Sequence, residues 1–254
     1  MNGTKKVTPL SGPAQMATQG NNSEGLSYGI ILGTRPEIIK LSTLITKFKK
    51  EDKDYILIHT GQHYSYEMDK TFFEELELPE PHYKLDIGLK AKTHAEQTGL
   101  MLIEIEKILL KEKPKIVIVQ GDTNTTLAGA LAARKLNLFK IAHIEAGLRS
   151  FNWEMPEEIN RIIVDHISDI LFAPTIKAEE NLLKEGISKN KIYTVGNPIV
   201  DAIDRNLPIA MKKSNILNKL GLKKENYFLL TLHRSENVDH RERLKNILDG
   251  IRLI

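Results

Sequence analysis

Ile116-Val117-Ile118-Val119-Gln120-Gly121-Asp122-Thr123 is an unbroken apolar run closed by a glycine turn and a carboxylate. A strand with one wet face would alternate apolar and polar residues, so a continuous run implies cover on both faces. An alanine-rich helical pattern, Thr125–Lys135, follows at once. The same unit recurs along the chain. Apolar runs at Tyr28–Leu32, Tyr55–His59, Lys115–Val119, Lys140–Ile144, Ile170–Phe172 and Lys191–Val195 alternate with amphipathic stretches. Those stretches are Glu37–Phe48, Tyr66–Leu76, His94–Leu110, Thr125–Lys135, Glu157–His166 and Ile176–Glu185. This alternation predicts an α/β fold, a doubly wound parallel sheet with helices on both faces.

After Gly196-Asn197-Pro198 the pattern restarts. A short helix, Ile199–Arg205, leads to a strand at Tyr227–Leu232 and to a charged helix that begins at His240 and still runs at Ile254. A single βα unit cannot cover its own sheet edges. Residues 27–198 are therefore read as a complete first domain and residues 199–254 as the beginning of a second. Residues 1–26 are polar and rich in Gly, Ser, Thr and Asn, with no apolar signal-peptide core. They are read as a disordered extension.

Composition excludes several function classes. The 254 residues carry 36 basic and 33 acidic side chains, a net charge of +3. That balance gives no footprint for nucleic acid or a membrane surface. There is no cysteine, hence no disulfide frame, thiolate metal site or cysteine nucleophile. No apolar run approaches the roughly 18–20 residues a bilayer requires. The histidines are scattered without metal-ligand spacing, so no metal is expected.

The chemistry gathers at the ends of the apolar runs, where open α/β sheets bind their ligands. His143-Ile-Glu145-Ala-Gly147-Leu-Arg149-Ser150 closes one strand, and Pro156-Glu157-Glu158-Ile-Asn160-Arg161 opens the next helix. Paired carboxylates in a cleft are a standard means of moving protons on a sugar. The plainer reading is a helix start with Glu158–Arg161 and Arg161–Asp165 surface pairs. Gly33-Thr34-Arg35-Pro36-Glu37, with Lys40 one turn on, combines a glycine turn, a cation and a helix N-terminus, which suits a phosphate. A simple capped helix is the alternative. Asp122 is either a helix N-cap or a second strand-end carboxylate facing Glu145. Thr60-Gly61-Gln62-His63 and His233-Arg234 each end a strand. Neither the dinucleotide nor the P-loop glycine fingerprint is present in the sequence.

Together these residues resemble the non-hydrolysing UDP-N-acetylglucosamine 2-epimerases. The likeness rests on Gly33 to Lys40, Thr60 to His63, Gly121 to Thr123, His143 to Ser150, Met155 to Arg161, Val195 to Asn197 and His233 to Asn237. It implies a glycosyltransferase-B-like architecture of two Rossmann-like domains and a cytoplasmic homodimer without metal or redox cofactor. The implied reaction inverts C2 of UDP-GlcNAc to give UDP-ManNAc, by anti elimination of UDP and re-addition to the other face. Carried over motif by motif, the resemblance makes Asp122, Glu145, Glu157 and His233 the catalytic groups. Arg35, Lys40, His63, Arg149, Arg161 and Asn197 become substrate contacts. Gln62, His63 and Arg234 become contacts to a second, activating UDP-GlcNAc. The family's proteins are longer than this chain, so the short chain alone is expected to be inactive. A 2-epimerase of a UDP-2,3-diacetamido uronic acid, a glycosyltransferase on the same fold and a non-catalytic remnant are the competing expectations.

Overall fold

The computed structural model describes residues 27–62, 66–232 and 235–253. The extension expected at residues 1–26 lies outside them, as do His63, His233 and Arg234. Seven parallel strands form one sheet: β1 (Tyr28–Leu32), β2 (Tyr55–His59), β3 (Tyr83–Lys84), β4 (Ile116–Gln120), β5 (Lys140–Ile144), β6 (Ile170–Ala173) and β7 (Ile192–Thr194). Their order is β3-β2-β1-β4-β5-β6-β7. Every pairing is parallel. The order reverses between β1 and β4, so the switch point lies at the C-terminal ends of those two strands.

Helices α1 (Arg35–Lys50), α2 (Tyr66–Glu75), α3 (His94–Glu112), α4 (Asn124–Leu136), α5 (Pro156–Ile167) and α6 (Ile176–Lys184) connect the strands. The pleat sends successive side chains to opposite faces. Ile30, Leu32, Leu57, Ile118 and Ala142 pack with Ile38, Leu41 and Ile45 of α1 and Phe73 of α2. Ile31, Ile58, Val117, Val119 and Ile141 pack on the other face with Met101 and Ile105 of α3 and the alanines of α4. Burying each large side chain of this kind contributes about 1.5–3 kcal/mol. The alanines of α4 let that helix approach the sheet closely. A third cluster, Ala146, Leu171, Ala173, Ala178, Leu182 and Ile192, seats α6 at the β6–β7 end.

The remainder is α7 (Pro198–Lys213), α8 (Ile216–Lys219), α9 (Ser235–Val238) and α10 (Arg241–Ile251). Here the structure corrects the sequence reading. Tyr227–Leu232 is not a strand, and Phe228 and Leu229 are almost fully exposed. A strand exists only through a ladder, and this segment pairs with none among the described residues. The helix expected to stop at Arg205 continues through Pro208 to Lys213. Proline keeps a helical φ and removes one hydrogen bond, which does not by itself end a helix. The last helix ends at Ile251 rather than running to Ile254. β3 has only two residues and carries no period to read. The chain divides into two compact units between Asn206 and Leu207, beyond the boundary expected after Pro198.

Candidate active site

The switch point holds a buried carboxylate. Glu37 is 1 % exposed. Its Oε2 accepts from Gly33 N at 2.7 Å, Thr34 N at 2.8 Å and Thr34 Oγ1 at 3.0 Å. Its Oε1 lies 2.6 Å from Thr123 Oγ1 and 3.1 Å from Thr126 Oγ1. This corrects the phosphate reading of Gly33-Thr34: the amides that would cradle an external anion are filled from within. Glu37 ties the β1 loop to the β4 loop. Sequence reasoning missed that role, because the only local signal was a glutamate at the third position of a capped helix.

Burial raises the pKa of Glu37 above the ordinary 4.5, outweighing its hydrogen bonds from Thr123, Gly33 and Thr34. The geometry agrees. Thr126 Oγ1 is 2.6 Å from Gln120 O as well, and its single proton can serve only one acceptor. A proton on Glu37 Oε1 would supply the missing donor. The folded chain thus binds this proton more tightly than the unfolded chain does. The resulting stability is fully present below the ordinary glutamate value and is lost as pH rises through the raised one. Urea unfolding of the chain and of Glu37→Gln should show the advantage of the wild type shrinking as pH rises above the ordinary glutamate value. A constant or growing advantage would refute the assignment.

Asp122 and Glu145 follow neighbouring strands, β4 and β5. Asp122 is not the cap of α4. That position is Thr123, whose Oγ1 accepts from Thr126 N at 3.2 Å. The Asp122 side chain, one third exposed, instead pairs with Arg161 Nη2. Glu145 is buried and ion-paired to Lys40, with Nζ at 2.7 and 2.9 Å from its two oxygens. Gln120 Nε2 donates to the same carboxylate. A Cβ placed on Gly121 would lie 3.8 Å from Glu145 Oε2, so Glu145 reaches the turn that carries Asp122. Glu145 holds φ at 70°, a left-handed conformation that costs a side-chain-bearing residue about 1–2 kcal/mol. Strain of this kind collects at functional sites.

Glu157 and Glu158 separate cleanly in role. Glu158 is buried and accepts from Ser150 N at 2.9 Å, Ser150 Oγ at 2.8 Å and Phe151 N at 2.8 Å. Burial alone would push its pKa up, but these bonds and the Arg161 charge hold it below the usual range. It anchors the loop between β5 and α5. Glu157 makes no hydrogen bond or ion pair among the described residues and is half-buried. Asn160 and Arg161, three and four residues on, reach Asp122 through its carbonyl oxygen at 2.9 Å and its carboxylate. Residues at that spacing share a helix face, so Glu157 lies on the side of α5 that meets the β4 loop.

Arg161 bonds Glu158 at 3.0 Å, as the helix pattern suggested, but Asp165 is not its other partner. Asp165 pairs with His143 Nδ1 and Arg149 Nη1, both at 2.7 Å. Arg149 is corrected as a substrate contact. Its side chain is 1 % exposed and it is also bonded to Glu185, at 2.7 and 2.6 Å, and to Leu148 O. Gln62 is likewise turned into the core, where its Oε1 accepts from Thr125 N at 2.8 Å. Arg35 donates to Asp69 at 3.1 Å and lies over the Phe72 ring. Asn197 directly precedes α7, its Oδ1 accepting from Ile199 N at 3.1 Å.

Two buried side-chain atoms find no partner among the described residues: Gln120 Oε1 and Arg161 Nε. Each belongs to a side chain that touches Glu145 or Asp122. Lys40 also lines a groove of about 610 Å³ with Leu41, Leu44, Ile144, Phe172 and Val195. Among the described residues no group of three or more His, Asp or Glu could hold a metal ion, and no helix is long and apolar enough to cross a membrane.

Known proteins resemble this chain in sequence and fold. The sequence profile of one family, described as UDP-N-acetylglucosamine 2-epimerase, matches residues 46–254. A UDP-N-acetylglucosamine 2-epimerase of Methanocaldococcus jannaschii is 62% identical over 229 residues, which are 89% of this chain and 62% of the relative. The crystal structure of the M. jannaschii UDP-GlcNAc 2-epimerase in complex with UDP-GlcNAc and UDP superposes with a TM-score of 0.81, at 62% identity, over 89% of this chain and 62% of that one. A UDP-2,3-diacetamido-2,3-dideoxy-D-glucuronate 2-epimerase of Pseudomonas aeruginosa is 48% identical over 225 residues, 87% of this chain and 61% of the relative. The chain thus spans about three fifths of the length of these relatives.

Proposed function

The chain belongs to the UDP-N-acetylglucosamine 2-epimerase family, and from that premise we propose that the whole protein interconverts UDP-GlcNAc and UDP-ManNAc. The C2 proton is removed as the C1–O bond to UDP breaks. The C2–H electron pair becomes the C1=C2 bond of a 2-acetamidoglucal, and the C1–O pair leaves with UDP. UDP then adds back to C1 while a proton returns to C2 on the opposite face. The sequence is redox-neutral and balances without a cofactor.

The observation that carries this reading is the pair of carboxylates at adjacent strand ends, each held by a cation: Glu145 by Lys40 and Asp122 by Arg161. Glu157, on the neighbouring helix and without a bond among the described residues, adds a third. Proton removal and return on two faces requires more than one acid–base group. Asp122, Glu145 and Glu157 share that work with His233. Arg35 and Lys40 bring positive charge to the leaving diphosphate. Arg161, His63 and Asn197 hold the sugar nucleotide. His63 and Arg234 remain the contacts to an activating second UDP-GlcNAc, and Gln62 is withdrawn from them. The whole protein is a glycosyltransferase-B-like homodimer of two Rossmann-like domains per subunit, working in the cytoplasm.

The test uses this chain extended with the C-terminal region of its M. jannaschii relative, supplied with UDP-GlcNAc in D₂O. UDP-ManNAc carrying deuterium at C2 is expected. The 48% identity to a diacetamido-glucuronate epimerase supports a second reading, in which the same chemistry acts on a UDP-2,3-diacetamido uronic acid. A panel of both substrates separates the two. Conversion of neither overturns both.

A further inference from the structure

We propose that His143 and Asp165 are positioning residues that couple the loop carrying Asp122 to the loop carrying Glu145. The inference rests on the epimerase reading for its effect on rate, and on geometry alone for the coupling. Both side chains are fully buried. His143 lies on β5, and its two ring nitrogens point to different elements. Nε2 is 2.8 Å from Gly121 O, in the turn just before Asp122. Nδ1 is 2.7 Å from Asp165 Oδ1, on α5.

Both partners are acceptors. Bonding to both at once requires an N–H on each ring nitrogen, a cation. That charge faces Asp165, which is itself also paired with Arg149, and Arg149 with Glu185. Burial would push the Asp165 carboxyl up, but the His143 and Arg149 charges outweigh it and hold it low. The chain of ions therefore alternates in sign from the buried His143, Asp165 and Arg149 to the partly exposed Glu185 and closes neutral, the condition under which ions survive in a core.

Asp165 Oδ2 completes the link. It accepts from Gly147 N at 3.0 Å, two residues beyond Glu145 and its left-handed backbone. One carboxylate thus holds the turn after β5, and through His143 the turn after β4. Asp165 sits on α5, whose first turn carries Glu157. The three proposed catalytic carboxylates hang on one buried pair. A displacement of about 1 Å at a reacting group can cost on the order of 10² in rate, so a residue that never touches the sugar sets whether these groups meet it.

The test has two arms. His143→Gln replaces two ring nitrogens that point to different elements with a single amide nitrogen, which cannot span from Gly121 O to Asp165, and leaves Asp165 paired with Arg149. Asp165→Asn removes the charge and keeps the shape. In the first arm, backbone amide NMR spectra of the 254-residue chain are compared. His143→Gln should shift Gly121–Asp122 and Glu145–Gly147 together while the β1–β2 amides stay in place. In the second arm, the extended protein should lose about 10–100-fold in kcat per folded molecule with KM changed less than about threefold. Folded fraction is read by circular dichroism. Should Asp165→Asn fail to fold, His143→Gln alone decides. Shifts confined to one loop, or kcat within about twofold of wild type, would overturn the proposal. An extended wild type that epimerises nothing defeats the epimerase reading, and the spectra then decide the coupling by themselves.

Discussion

Asp122→Asn and Glu145→Gln, each in the extended protein, are expected to lower kcat by about 10²–10⁴, with KM changed far less. The amides keep the shape of the carboxylates and one acceptor oxygen. Neither can take a proton from C2. Their effects should differ in detail. Glu145→Gln also removes the partner of Lys40, whose ammonium bonds both carboxylate oxygens. Asp122→Asn leaves Arg161 with Glu158. The Glu145 variant should therefore carry the larger loss. Glu158→Gln is the control: it would loosen the β5–α5 loop and reduce stability, because its oxygens bond Ser150 and Phe151. Steady-state kinetics with UDP-GlcNAc read all three. Near-normal kcat in both strand-end variants would make those carboxylates structural.

Gly147→Ala is expected to destabilise the chain by about 3–5 kcal/mol, enough to unfold a marginal domain. Two penalties add. Gly147 has φ of +81°, where a Cβ is disfavoured by about 1–2 kcal/mol. A Cβ there would also lie 2.3 Å from Ala178 O and 2.8 Å from Leu182 Cγ. The first is backbone in α6 and cannot swing aside. Moving the turn would strain the Gly147–Asp165 bond. Gly186→Ala supplies the comparison: its φ is +84°, but nothing lies within 4 Å of the added carbon. Urea unfolding should show a cost of about 1–2 kcal/mol at Gly186 and several times that at Gly147. Equal losses would mean that α6 yields.

Most of the sheet was legible because its strands are continuous apolar runs and α1, α3, α4, α5 and α6 begin at Thr or Pro. β1, β2 and β5 stand where the apolar pattern puts them. Asp122 and Glu145 were legible as strand-end carboxylates for the same reason. What was illegible depends on partners far apart in sequence. Nothing local tells Arg161 to choose Asp122 over Asp165, or commits Arg149 to Asp165 and Glu185. Those choices are made by the packing of α5 and α6 beside β5. Glu37 reads as a helix-start acid, and only the parallel placement of β1 beside β4 brings Thr123 to it. Tyr227–Leu232 failed for the opposite reason. Its composition suits a strand, yet a strand is a property of its neighbours.

The loops at the ends of the strands are fastened by side chains as well as by backbone bonds such as Gly121 N to Ile144 O and Ala146 N to Phe172 O. The amides of Gly33 and Thr34 donate to Glu37, that of Thr125 to Gln62, that of Gly147 to Asp165, and those of Ser150 and Phe151 to Glu158. Exchange of these protons with solvent is thereby uncoupled from opening of the sheet. Each clamp rests on one side chain, so each fastening is separate from the strand ladder. The rim of the crevice is thus held by side-chain fixings of its own, laid over the strand framework beneath it.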